Sequence, residues 1–300
     1  MTLPAHVSNP AAAPAASWTA RLAARLSLQP RWLSALLVGL AVGSGVAATC
    51  WAVLVGALYL WQERLLFQPL PLPQSYPFAY GSDVHEVSVD VPGARLNALH
   101  LTLPRPRGVV FFLHGNAGNL ASWFTNADFY RRANVDLFML DYRGYGKSTG
   151  RIESEAQLRD DVRAAWRAIA PRYDGLPRVI YGRSLGTALA AGLAAEVQPE
   201  LTILVSPYRS MQAMAGEHYP WVPGATLRYP LRTEDDAARI HGKVWLVHGE
   251  QDSLIDVSHS EAIRERVPQA KLLRVPGAGH NDLQRFDAYT DALRDMLGRL

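Results

Sequence analysis

The chain has 300 residues, 49% of them hydrophobic and 19% charged, which suits one large α/β domain with extra apolar mass attached. Its net charge of +3 lies before residue 69, where Arg21, Arg25, Arg31 and Arg64 face Glu63 alone. Beyond that point acidic and basic residues balance, which excludes a basic stripe for nucleic acid. The one cysteine, Cys50, makes no internal disulfide and says nothing about redox compartment.

Residues 1–31 are rich in Ala and Pro, lack periodicity and read as a disordered tail with a basic flank. Residues 32–61 contain no charge. A bilayer core of about 30 Å takes about 20 apolar residues as helix, so this run predicts a tilted transmembrane helix. Tryptophans and Tyr59 near its ends resemble an interfacial belt. A cleaved signal peptide would have a shorter apolar region and a small-residue cleavage site. A lipoprotein site at Cys50 fits poorly after Thr49, with the apolar run continuing past it. A buried core helix would be unusually long. The preceding arginines place the N-terminus in the cytoplasm and the rest across the membrane, as in a bacterial inner-membrane protein facing the periplasm.

Residues 62–80, with Pro69, Pro71, Pro73 and Pro77, read as a stiff linker to a domain over 81–300. Alternation over His85–Val91 and Leu96–Leu103, separated by Pro92-Gly93, predicts an antiparallel hairpin. Val109–Leu113, Val135–Asp141, Leu201–Ser206, Val244–His248 and Leu272–Val275 are apolar runs of buried strands, with Ile180 on a further one. Helical spacing appears around Trp123–Arg132, over Leu158, Val162, Ala165, Trp166 and Ile169, and over Leu283, Phe286, Leu293 and Leu297. The alternation implies a mostly parallel sheet with helices on both faces. Residues 207–241, rich in Pro and aromatics, break the pattern and read as a short cap insert.

Val179–Gly186 is an apolar run ending in Gly-Arg-Ser-Leu-Gly, followed at once by a small-residue helix. Strand, sharp turn and helix is the context a nucleophile elbow requires, with Ser184 lifted clear of the sheet. Gly182 and Gly186 fall where side chains would strike neighbouring elements. A serine nucleophile needs a base, and the base an orienting acid. Asp252 follows the Val244–His248 strand and His280 follows the last strand, so the order Ser184, Asp252, His280 is that of an α/β-hydrolase. Asp256 is a rival acid, better placed to cap the helix after it. Oxyanion donors are expected from the backbone amides of Leu185 and of Asn116, with Ala117 second to Asn116. His114 should support its loop, and Arg143 or Tyr142 the elbow. The remaining histidines form no metal-ligand pattern and most should be superficial or supporting. No phosphate-cradling glycine loop is present, so neither cofactor nor metal is expected.

These motifs carry a resemblance. HGNAGN (His114–Asn119), DYRGYGKSTG (Asp141–Gly150), GRSLG (Gly182–Gly186), Ser206-Pro207-Tyr208, HGEQD (His248–Asp252) and GAGHND (Gly277–Asp282) make residues 80–300 resemble a small-cap, membrane-associated serine α/β-hydrolase of the ABHD type. The resemblance implies Ser184 as nucleophile, Asp252 as acid and His280 as base. It implies acyl esters or thioesters as substrates, including lysophospholipids and protein palmitoyl groups. Asp256 departs from it, since relatives often carry proline there. The expected function is a membrane-anchored serine esterase or thioesterase working through an acyl-enzyme on a small-molecule or lipid acyl substrate. The alternatives are a serine peptidase or acyltransferase on the same fold, or a non-catalytic binding module.

Overall fold

The computed structural model describes residues 17–19 and 31–300. The expected tail and the arginines at 21 and 25 lie outside these residues, Ser17–Thr19 and Arg31 apart. The chain divides into a unit ending at Gly56 and a unit of Ala57–Leu300. Helix α1 (Arg31–Leu66) is 36 residues long. At a rise of 1.5 Å per residue this is about 54 Å. Among the described residues it alone is long and apolar enough to cross a membrane, by length and composition, and its most apolar stretch is not buried.

The second unit departs from expectation at its start. Residues 62–80 are not a free spacer. The helix runs on to Leu66, and Gln62 is buried, donating to the Thr226 carbonyl at 2.9 Å and accepting from the Arg228 amide at 2.7 Å. Glu63 pairs with Arg228 and accepts from the Tyr229 hydroxyl. Phe67 is buried, and β1 (Gln68–Pro69) follows it. The Leu72 amide donates to the Gly146 carbonyl at 2.7 Å, and Phe78 and Tyr80 pack on the domain core. The segment is a strap laid along the domain, because its polar helix end and the amides of Gln68, Leu70 and Leu72 find partners there.

The hairpin forms from β2 (Val84–Val91) and β3 (Ala94–Leu101), which pair antiparallel. Next come β4 (Val109–Leu113), β5 (Ala117–Gly118), the single turn α2 (Leu120–Trp123) and α3 (Ala127–Ala133). The expected helix over Trp123–Arg132 is thus two pieces, joined by a 3₁₀ turn at Phe124–Asn126. Then follow β6 (Asp136–Leu140), α4 (Glu155–Ile169), β7 (Arg178–Arg183), α5 (Gly186–Val197) and β8 (Leu201–Val205). The insert holds α6 (Met211–His218) and α7 (Thr233–Ala237). The chain ends with β9 (Lys243–Gly249), α8 (Ser258–Arg266), β10 (Lys271–Val275) and α9 (Asp287–Gly298). Leu283 and Phe286 precede α9 rather than lying on it, although Leu283, Leu293 and Leu297 still share one core.

The eight-stranded sheet has the order β10-β9-β8-β7-β4-β6-β3-β2. Strands β10 to β6 are parallel, and β3 joins β6 antiparallel, so the hairpin forms the expected edge. Strand alternation divides the apolar side chains between two cores. Val109, Phe111 and Leu113 face α4, α5, α7 and α8, whereas Val110 and Phe112 face α2, α3 and α9. Burial on both faces is why these strands read as continuous apolar runs. With β7 central, its carboxyl end brings loops from β4, β8, β9 and β10 to one place.

Candidate active site

Ser184 stands between β7 and α5 with φ of 50°, a left-handed conformation rare outside glycine. Close packing holds it there. A side chain on Gly182 would come within 2.6 Å of Ala190 Cβ, and one on Gly186 within 2.2 Å of the Leu113 carbonyl. Both glycines therefore fill the close-approach role read from their spacing.

His280 and Asp252 reach Ser184 from separate loops. Ser184 Oγ lies 3.0 Å from His280 Nε2, and His280 Nδ1 lies 2.7 Å from Asp252 Oδ2. With Asp252 ionised, Nδ1–H donates to the carboxylate and Nε2 accepts from the serine hydroxyl, a tautomer set by this network. The relay lies at the surface's edge, since Ser184 is 8% exposed and the His280 side chain 11%. Asp252 Oδ1 accepts from the amides of Leu254 and Ile255 at 3.0 and 2.9 Å. Burial pushes the Asp252 carboxyl up, but the hydrogen bonds from His248, His280 and the Ile255 amide outweigh it and hold it well below the usual carboxylate range. Asp256 accepts from the Ser258 amide at 2.9 Å, at the start of α8, and makes no contact with His280.

Among the described residues, neither the Leu185 nor the Asn116 amide has a hydrogen-bond acceptor. Leu185 begins the turn into α5, and Asn116 lies on the loop after β4. Ala117 instead belongs to β5, which pairs parallel with β1. His114 is fully buried, with Nδ1 donating to the Gly115 carbonyl at 2.7 Å, so it supports its loop. The Tyr142 hydroxyl donates to the His114 carbonyl at 2.9 Å, also supporting that loop. Arg143 does not support the elbow. It pairs with Asp161 on α4 at 2.5 and 2.8 Å and donates to the Pro92 carbonyl, joining α4 to the β2–β3 turn.

Several supporting residues were not singled out from the sequence. Arg183 donates to the His280 carbonyl at 2.9 Å, lies over the Trp123 ring and so holds the His280 loop. His248 is fully buried with Nε2 donating to the Ile255 carbonyl, and lies 3.4 Å from Asp252 Oδ2. His100 and His259 are also buried rather than superficial. Motif neighbours could have suggested Arg183 and His248, but their partners come from loops distant in sequence.

A recess of about 690 Å3 lies next to the loops that carry the relay, with none of Ser184, His280 and Asp252 on its walls. Ala117, Arg183 and Asn281, the chain neighbours of Asn116, Ser184 and His280, lie on it, with Phe112, Trp123 and Tyr181 in its walls. A second recess of about 720 Å3, between Trp61, Phe67, Tyr145 and Arg228, has none of the relay residues or their chain neighbours on its walls. The insert reaches the site's edge through Tyr208, whose hydroxyl donates to the Leu185 carbonyl at 3.2 Å. Its other polar contacts include Gln62, Glu63, Glu153, Glu155, Arg159, Gln198, His259 and Gln269.

The family described as "Serine aminopeptidase, S33" matches residues 104–231. Human alpha/beta hydrolase domain-containing protein 17B is 33% identical over 202 residues, covering 65% of this chain and 68% of that protein. The chain belongs to the ABHD family of α/β serine hydrolases. The ABHD protein 17C of Xenopus tropicalis is 34% identical over 200 residues, and there the match spans 63% of the relative's length. Among solved structures, an esterase of Pyrococcus furiosus shares the fold with a TM-score of 0.62 at 17% identity, over 78% of this chain and 98% of that one. Est1E of Butyrivibrio proteoclasticus, solved with ferulic acid, gives 0.57 at 20% identity, over 71% and 96%.

Proposed function

We propose that this ABHD hydrolase is anchored to a membrane by α1 and cleaves acyl esters or thioesters through a Ser184–His280–Asp252 triad. The observation that carries the reading is the pair of contacts at 3.0 and 2.7 Å that link hydroxyl, imidazole and carboxylate. In the proposed reaction His280 Nε2 takes the serine proton as Oγ attacks the acyl carbonyl. The amides of Asn116 and Leu185, which have no acceptor among the described residues, receive the oxyanion. Asp252, held ionised, orients His280 and stabilises the imidazolium. The imidazolium then protonates the departing alcohol or thiol, and a water activated by His280 releases the acid. The recess next to the loops that carry these residues, with Phe112, Trp123 and Tyr181 in its walls, suits an acyl group.

The peptidase reading has the matched family's description in its favour. An aminopeptidase needs a carboxylate free to take the substrate's ammonium group. In the insert Glu217 bonds His259, Glu234 pairs with Arg209 and Arg266, Asp235 with Arg266, and Asp236 with Arg159 and Arg239. Every one of these carboxylates is engaged, which favours the ester reading.

The test is hydrolysis of p-nitrophenyl esters of increasing chain length against amino-acid amides. The full-length protein should cleave the esters, and Ser184→Ala should lower kcat by about a thousandfold or more. Amide cleavage without ester cleavage, or an unimpaired Ser184→Ala, contradicts the proposal.

A further inference from the structure

The strap concentrates its contacts on the loop that carries Asn116. The Gln68 amide donates to the Asn116 carbonyl at 2.9 Å, and the Leu70 amide to the Gly118 carbonyl at 3.2 Å. The Leu70 carbonyl accepts from Asn119 Nδ2 at 2.8 Å and from the Gly146 amide at 3.2 Å. Tyr145 completes the arrangement. Its hydroxyl donates to the Asn116 carbonyl at 2.6 Å and accepts from the Gln68 amide at 3.2 Å. Its ring is fully buried, with the His114 and Tyr142 rings at 5.3 and 5.6 Å between centroids. A two-residue bridge between β1 and β5 extends no sheet. Its effect is to grip this loop.

The physical need for a grip is plain from the backbone. Gly115 and Gly118 flank Asn116, and glycines leave a loop free to swing. An oxyanion donor is effective only if it is aimed before charge develops, so that no reorganisation accompanies the reaction. Two donors on one carbonyl occupy both of its lone pairs. They hold the Asn116–Ala117 peptide plane, while His114 Nδ1 holds the Gly115 carbonyl, whose peptide plane carries the Asn116 amide; with both planes held, the dihedrals of Asn116 and the direction of its amide are set.

We propose that the Tyr145 hydroxyl and the Gln68 amide are positioning groups that hold the Asn116 carbonyl so that the Asn116 amide stays aimed at the oxyanion. This rests on the hydrolytic reading above and adds to it a role for the strap. The strap is then part of the catalytic apparatus, supplied from the segment that follows α1.

The experiment uses the full-length protein in detergent micelles. Tyr145→Phe keeps the buried ring and removes the hydroxyl, and Gln68→Pro removes the backbone donor. For each, kcat on a p-nitrophenyl ester should fall about tenfold or more, with KM within about twofold of wild type. Affinity for a trifluoromethyl ketone of the same chain length, whose tetrahedral adduct places an oxyanion in the hole, should fall by the same factor as kcat/KM. Binding of the unreactive ether analogue should not change. A merely structural role would lower Tm and leave kcat and ketone affinity of the folded protein at wild-type values, and that result overturns the inference. Should Tyr145→Phe not fold, Gln68→Pro decides it alone. A wild-type protein without esterase activity overturns the hydrolytic reading and this inference together, whereas an active wild type with unaffected variants overturns this inference only.

Discussion

Asp252 has no solvent-exposed side-chain surface, yet its neighbours hold it ionised. Its folded-state pKa is depressed, so the native protein binds fewer protons than the unfolded chain once the pH drops below about 4, the ordinary range for Asp. Its contribution to stability is therefore complete above about pH 4 and is lost as the pH falls through its folded value. Asp252→Asn, which cannot titrate, should show a smaller fall in Tm between pH 5 and pH 3 than wild type, measured by thermal unfolding, together with a loss of kcat at neutral pH. An equal fall in the two proteins would mean that the carboxylate is not stabilised as described. The choice of Asp252 over Asp256 was legible because one follows a strand's carboxyl end directly and the other stands before a helix. The support from His248 was not legible, because it depends on the Asp252–Ile255 turn folding back over β9.

At the scale of elements, the pair Arg143–Asp161 shows how a motif can mislead. Arg143 lies in the turn after β6, close in sequence to the residues that build the site, and its position suggested service to the elbow. The charge goes instead to α4, where Asp161 sits on a face that also carries Leu158, Val162 and Ala165. Both side chains are buried, at 5% and 3% exposure. Removing one member leaves an uncompensated buried charge, so Asp161→Ala should destabilise the domain by about 3–5 kcal/mol, a large share of a typical domain's stability. Urea unfolding followed by circular dichroism measures this, and a change under about 1 kcal/mol would contradict it. The sheet strands were readable because burial on both faces writes a continuous apolar run. The strap was not, because a two-residue bridge in a proline-rich segment has no periodicity, and its partners on the Asn116 loop and at Gly146 lie dozens of residues away.

At the scale of the whole molecule, the uncharged stretch of α1, the arginine ahead of it and an ABHD hydrolase domain after it make a tethered enzyme the simplest organisation. If α1 is the proposed anchor, the positive-inside rule puts the domain across the membrane from the N-terminus. A C-terminal alkaline-phosphatase fusion expressed in bacteria should then be active, and an inactive fusion that is fully expressed would refute the orientation. The fold was legible because its strands read as apolar runs, and the meeting of Ser184, His280 and Asp252 was expected because their motifs fall at the carboxyl ends of those strands, whereas what the insert covers was not legible, since its contacts come from residues with no regular spacing.

The relay is a claim about one hydroxyl, and it is tested most directly by trapping that hydroxyl. Full-length protein treated with a fluorophosphonate should carry a single adduct, mapped by peptide mass spectrometry to Ser184 and absent from Ser184→Ala. An adduct on another residue, or an unlabelled wild-type protein, would contradict the assignment of Ser184 as the nucleophile.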